Sequence, residues 1–136
     1  MTDFDWVDAR ADCSVTNVFV RLKADTGEDV DAENRFFRGT GRKFALVPGP
    51  TSFIVHQDIV PPRSITFLLS EEKISASDER GREQLSATVT LNKDKQCRLL
   101  VNGEEMEEWQ FRKKALERLF FSGGKIAVDP SVKFGG

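Results

Sequence analysis

LSATVTLNKDKQCRLLV, spanning Leu85–Val101, is the stretch on which the fold turns. Leu85, Ala87, Val89 and Leu91 alternate with Ser86, Thr88 and Thr90, the period of two that puts one face of a strand in a core and the other in water. After the polar run Asn92-Lys93-Asp94-Lys95, the alternation resumes with Cys97, Leu99 and Val101. The stretch therefore reads as two antiparallel strands joined by a turn.

Working upstream, Ser64–Ser70 sets Ile65, Phe67 and Leu69 on one face, and Pro61-Pro62 marks where this strand begins. Lys73–Ser77, with Ile74 and Ala76, is a weaker partner. Lys43–Val47 and Ser52–His56 flank Pro48-Gly49-Pro50, a turn whose prolines cannot donate to a ladder. Val15–Lys23 is rich in β-branched residues and sets Val18, Val20 and Leu22 against Phe19 and Arg21, which predicts an early strand. The sum is about seven strands, at spacings typical of all-β architectures.

Downstream of Gly103 the period changes. At about 100° per residue, Met106, Trp109, Leu116 and Phe120 share one face with Leu119 at its edge, predicting an amphipathic helix within 103–122 that packs on the sheet. Asn102 stands three residues before Glu105, a spacing suited to a capping box, and Ser122-Gly123-Gly124 ends the helix. The same wheel puts Phe111 about 200° from Trp109, opposite the apolar stripe, and places Lys113 within the stripe.

The predicted fold is thus α+β and mainly β: about seven antiparallel strands in a curved sheet or partly closed barrel or sandwich, with one C-terminal amphipathic helix packed on it. One domain covers 1–136, divided into an N-terminal segment 1–12, a β-rich body 13–102, the helix 103–122 and a tail 123–136. Thr2 and Asp5 suit a short helical turn in the first segment, and the tail reads as an edge strand or loose end. A helix after the last strands is the element order of pleckstrin-homology-like domains and lipocalin-type barrels. Glu104-Glu105-Met106-Glu107-Glu108-Trp109 resembles the closing helix of the former over that one element.

Composition narrows the function. With 20 Lys and Arg against 22 Asp and Glu, the chain lacks the strongly basic balance of a dedicated nucleic-acid binder. Eleven Phe and two Trp supply enough apolar surface for a folded core. The acidic start Met1–Asp12 is unlike a secretory leader, and no apolar run approaches the roughly 18 residues of a spanning helix. A cytoplasmic protein without membrane insertion is expected. Cys13 and Cys97 are accordingly expected as buried or free thiols, since disulfide scaffolds are usually shorter and richer in cysteine.

Few residues carry reactive chemistry. His56 is the single histidine: a nucleophilic pair with either cysteine would need a third group that its local sequence does not supply, and the enzymatic alternative is a small pocket in which His56 works with one of the many carboxylates as general acid and base. No cofactor or metal is expected, because one His and two distant Cys cannot make a four-ligand zinc site. Asp25–Glu33 holds five carboxylates in nine residues, but its Gly27 sits wrongly for a calcium loop, so a solvated loop between the first two strands is expected.

Arg35-Phe36-Phe37-Arg38-Gly39-Thr40-Gly41-Arg42-Lys43-Phe44 interleaves four cations with three rings. That pattern suits either a hairpin turning at Gly39-Thr40-Gly41 or, as the alternative, contact with phosphate or single-stranded nucleic acid.

The function expected from these residues is a non-enzymatic binding or interaction module. It would take a small ligand or protein partner on the curved sheet and the C-terminal helix. Trp109, Phe111 and Lys113 are the candidate contacts on the helix, with Arg38, Arg42 and Lys43 at an anion-attracting rim. A two-sided helix bearing Phe111 and Phe121 also suggests a homodimer.

Overall fold

The computed structural model describes residues 13–36 and 43–122. They form helix α1 (Val15–Phe36) and seven strands: β1 (Phe44–Val47), β2 (Ser52–Gln57), β3 (Arg63–Leu69), β4 (Lys73–Asp78), β5 (Glu83–Leu91), β6 (Cys97–Val101) and β7 (Glu104–Met106). Helix α2 (Glu108–Glu117) follows and ends in one wider π-helical turn, Arg118–Ser122. The strands make a single open antiparallel meander in sequence order, β1 to β7. The fold is mainly β, as its alternating segments require.

The expected hairpin of Leu85–Val101 forms, with Val89 opposite Leu99 and Leu91 opposite Cys97. Its turn is held by the Asn92 carboxamide oxygen, which accepts from the backbone N–H groups of Asp94 and Gln96 at 2.9 and 3.0 Å. Across the sheet, Phe53 pairs with Phe67, Val55 with Ile65, and Ile74 with Ala87, so one face is continuously apolar. The other face carries Ser64, Thr66, Ser75, Ser77, Ser86 and Thr88, which is the polar half of each alternation.

The apolar face is covered by helices. Val18, Phe19, Leu22, Thr26, Val30 and Glu33 are the buried residues of α1, spaced as one helical stripe. The expected strand at Val15–Lys23 is therefore corrected to the first half of a 22-residue helix. Ser14 starts it: the Asn17 N–H donates to Ser14 Oγ at 3.1 Å, and the Val18 N–H donates to the Ser14 carbonyl. Local β-branching favours a strand, but burying Leu22, Thr26 and Val30 together satisfies the longer period. Asp25–Glu33 is likewise not a loop between strands; it is the second half of α1.

The C-terminal helix also begins later than expected. Asn102 and Gly103 have φ of 53° and 81°, the left-handed pair of a two-residue hairpin turn, and they fold Glu104–Met106 back onto β6 as β7. Glu107 then caps α2, with its N–H donating to Gln110 Oε1 at 2.8 Å. The likeness of Glu104–Trp109 to a closing helix fails on this strand.

Removing Met106 from the helix also rotates the buried face. Phe111, Ala115, Leu116, Leu119 and Phe120 are buried, with Phe111 fully so, while Trp109 is 49% exposed. The expectation that α2 packs through Trp109 with Phe111 on its far side is thus reversed.

Core aromatics link the layers. Phe19 of α1 lies 5.3 Å from Phe53, Phe53 stacks on Phe67 at 4.7 Å, and Phe67 meets Phe111 of α2 at 6.3 Å. A second tie joins the start of α1 to the sheet, because Cys13, just before α1, forms a disulfide with Cys97 of β6 across 84 residues. The free-thiol expectation is corrected here. No helix among the described residues is long and apolar enough to cross a membrane.

Candidate binding groove

Where α1 and α2 run side by side, one arginine binds the seam. Arg112 of α2 donates through Nε to Asp29 and through Nη1 to Glu108 at 2.6 Å, with Asp25 of α1 at 3.5 Å. Helical spacing explains the set: Asp25 and Asp29 are four apart on α1, and Glu108 and Arg112 are four apart on α2. Burial pushes the Glu108 carboxyl above the usual carboxylate range, against the stabilising pull of Arg112. Its second oxygen, Oε2, is buried without a hydrogen-bond partner.

Beyond this seam the helices part and leave a groove of about 380 Å³. Leu116 and Phe120, both buried, make its floor. Phe36 at the end of α1, Trp109 on α2 and Phe121 in the π-helical turn make its rim, 83%, 49% and 56% exposed. Phe120 is fixed edge-on against Phe44 of β1 at 4.9 Å, which ties the floor to the sheet. The charged lining mixes Asp29 and Glu33 from α1 with Arg112, Lys113 and Glu117 from α2; Arg112 pairs with Asp29, and Glu117 Oε2 accepts from Lys113 Nζ at 2.9 Å. On its other side Trp109 borders a smaller depression of about 240 Å³ with Arg21, Cys97 and Arg98.

Of the residues singled out from the sequence, Trp109 and Lys113 come together on this groove. Phe111 does not, because it is sealed in the core against Phe67. Lys43 is exposed just before β1 and does not line the groove; Arg38, Arg42 and the expected Gly39-Thr40-Gly41 turn lie outside the described residues. Arg35 and Phe36 belong to α1, so a hairpin strand cannot begin at Arg35.

His56 sits on the polar face of β2, opposite Ala45 and Ser64. The cysteines are bonded to each other on the helix side of the sheet, which removes any Cys–His pair. Among the described residues no group of three or more His, Cys, Asp and Glu side chains is arranged to hold a metal ion.

Sequence reasoning missed the α1 half of the groove: Asp29, Glu33 and Phe36. The signal was present in the spacing of Leu22, Thr26, Val30 and Glu33, a helical stripe running through the acidic segment. Compared with models of known protein families, with curated proteins and with solved structures, the chain matches none.

Proposed function

We propose that this domain is a non-enzymatic interaction module whose α1–α2 groove takes an amphipathic, positively charged segment of a partner protein. The observation that carries this reading is the convergence of Phe36, Trp109 and Phe121 around one groove floored by Leu116 and Phe120. Large aromatics that give up water contact on binding are the usual anchors of protein recognition. The lining carries the carboxylates Asp29, Glu33 and Glu117 against the cations Arg112 and Lys113, and this small negative excess favours a cationic partner over an anionic one.

The sheet itself is a poorer candidate. Its apolar face is covered by α1 and α2 through Phe19, Phe53, Phe67 and Phe111, which leaves the groove between the helices as an apolar surface that a partner can reach.

The test uses the full chain with Trp6→Phe, so that Trp109 is its single tryptophan. It is titrated with a tryptophan-free synthetic peptide helix bearing Leu and Phe on one face and Lys on the other. The expected result is a blue shift of Trp109 emission and micromolar binding, weakened about tenfold or more by Phe121→Asp. An otherwise identical peptide with Glu for Lys is expected to bind about tenfold more weakly. Equal affinity for both peptides, or no binding of either, overturns the reading. A concentration-dependent doubling of mass that buries Trp109 without peptide replaces the partner with a second copy of this chain.

A further inference from the structure

We propose that the Cys13–Cys97 bond is an exchange site for small thiols bearing carboxylates, which attack Cys97 from the depression at the start of α2 and release Cys13 as a thiol. The proposal is independent of what the α1–α2 groove binds.

The register of the sheet opens one side of Cys97. Strand β7 pairs with Leu99, Leu100 and Val101 of β6, so among the described residues no strand lies against Cys97 and Arg98 on that side. In its place is the depression of about 240 Å³ between α1, β6 and the first turn of α2. Cys97 lines it and is only half-buried. Alternation along β6 sets its sulfur on the helix side, with Leu99 and Val101. Access of a thiolate to one sulfur is what thiol–disulfide exchange requires first.

The two sulfurs differ in what they face. Cys13 Sγ lies 3.3 Å from the carbonyl oxygen of Thr90 in β5. A disulfide sulfur has no proton to give that oxygen, whereas a thiol donates to it. Cys13 is therefore the sulfur with an acceptor in place for its reduced form, and Cys97 is the one open to attack.

Charge selects the attacker. Arg98 Nη1 donates to the Cys97 carbonyl at 2.9 Å, which sets a guanidinium beside the bond. Among the described residues no carboxylate pairs with Arg98. The two carboxylates that line the depression are engaged: Glu108 Oε1 accepts from Arg112 Nη1 at 2.6 Å, and Glu107 caps α2. Arg21 lines the depression too but is itself engaged. The chain as a whole has a net charge of -2, so its general field favours a cationic thiol, and a preference for an anionic one reports the local field of Arg98.

The step balances without a further reagent. The electron pair of the thiolate forms a new S–S bond to Cys97 Sγ, and the pair of the old bond leaves on Cys13 Sγ. The proton that the attacking thiol gave up reaches Cys13 through solvent. One disulfide is exchanged for another with no net oxidation, and the start of α1 is no longer fastened to β6.

The experiment exposes the folded full chain to reduced glutathione, to neutral mercaptoethanol and to cationic cysteamine, with rates compared per thiolate. Free thiols are then trapped with N-ethylmaleimide and the products are mapped by mass spectrometry. Glutathione is expected on Cys97 and the maleimide on Cys13. At low salt glutathione is expected to exchange about fivefold faster than cysteamine, with mercaptoethanol between them and the gap closing at high salt. Arg98→Gln is expected to remove the gap and Arg98→Lys to keep it. In protein unfolded with urea, both the charge preference and the preference for Cys97 are expected to vanish.

Glutathione carried on Cys13, equal rates for the anionic and cationic thiols in the folded parent, or a gap that survives Arg98→Gln overturns the proposal. So does exchange no faster than global unfolding, read from the urea dependence of the rate.

Discussion

The ring of Phe53 stacks on that of Phe67 across the β2–β3 pair, centroids 4.7 Å apart and planes 17° from parallel. Phe19 and Phe111 bring α1 and α2 onto this pair, so the stack joins both helices to the sheet. Phe67→Ala removes the ring that touches both Phe53 and Phe111. It is expected to destabilise the domain by about 3–5 kcal/mol, whereas Phe67→Leu costs less because most of the volume is kept. Urea unfolding of the two variants checks the order; an Ala variant within 1 kcal/mol of the parent, a margin taken from ordinary surface substitutions at about 0.5 kcal/mol, would remove the stack from its central role.

The Glu108 carboxyl makes a prediction about pH. Its folded pKa is raised by burial above the ordinary 4.5, so the folded chain binds a proton before the unfolded chain does. As pH falls through the raised folded value towards 4.5, this residue adds stability; as pH rises through it, that contribution is lost. Glu108→Gln abolishes the titration while keeping an oxygen acceptor for Arg112. Relative to this variant, the parent is expected to gain stability between neutral pH and about pH 5. Paired urea midpoints that move the other way refute the assignment.

Helix α1 contains a glycine that packing does not require. A Cβ at Gly27 would meet nothing within 4 Å, and the position lies inside the helix. Gly27→Ala is expected to stabilise the domain by about 0.5–1 kcal/mol, since alanine restricts the unfolded chain and favours the helix. Thermal unfolding with an unchanged or lower midpoint contradicts a continuous α1.

The Cys13–Cys97 bond closes a loop of 84 residues and fastens the start of α1 to β6. Reduction is expected to cost about 2–4 kcal/mol, mostly by freeing the unfolded chain. In protein unfolded without reductant, thiol titration should find no free cysteine, since the chain holds only these two. Peptide mapping should recover Cys13 and Cys97 in one linked fragment. Two titratable thiols per chain in protein purified under oxidising conditions would count against the bond.

The hairpin Leu85–Val101 and strand β3 are legible in the sequence because their alternation coincides with where they are buried. Val15–Phe36 is not. Over Val15–Lys23 the residues fit a strand, and only the longer interval from Leu22 to Glu33 exposes the helical stripe, which Gly27 and the clustered carboxylates obscure. Seven strands are expected and seven occur, yet one of the expected set became α1 and an unforeseen β7 took its place.

The same substitution explains the rotated face of α2. Met106 belongs to a strand, so a helical wheel that includes it points the wrong way. Trp109 and Lys113 are recoverable as surface features of the candidate groove. Asp29, Glu33 and Phe36 require the tertiary pairing of two helices far apart in sequence, as Asp29 and Arg112 are at a separation of 83.

Asn34 holds the edge of the sheet through both halves of its side-chain amide, donating to the Phe44 carbonyl at 2.8 Å and accepting from the Phe44 N–H at 3.0 Å. At the opposite edge β7 is only three residues long. An open meander invites end-to-end polymerisation through its unpaired borders, and here one border is blunted by a helix side chain and the other by brevity. The consequence is colloidal: aromatic side chains stay exposed around the groove while neighbouring copies find little backbone on which to grow a fibre.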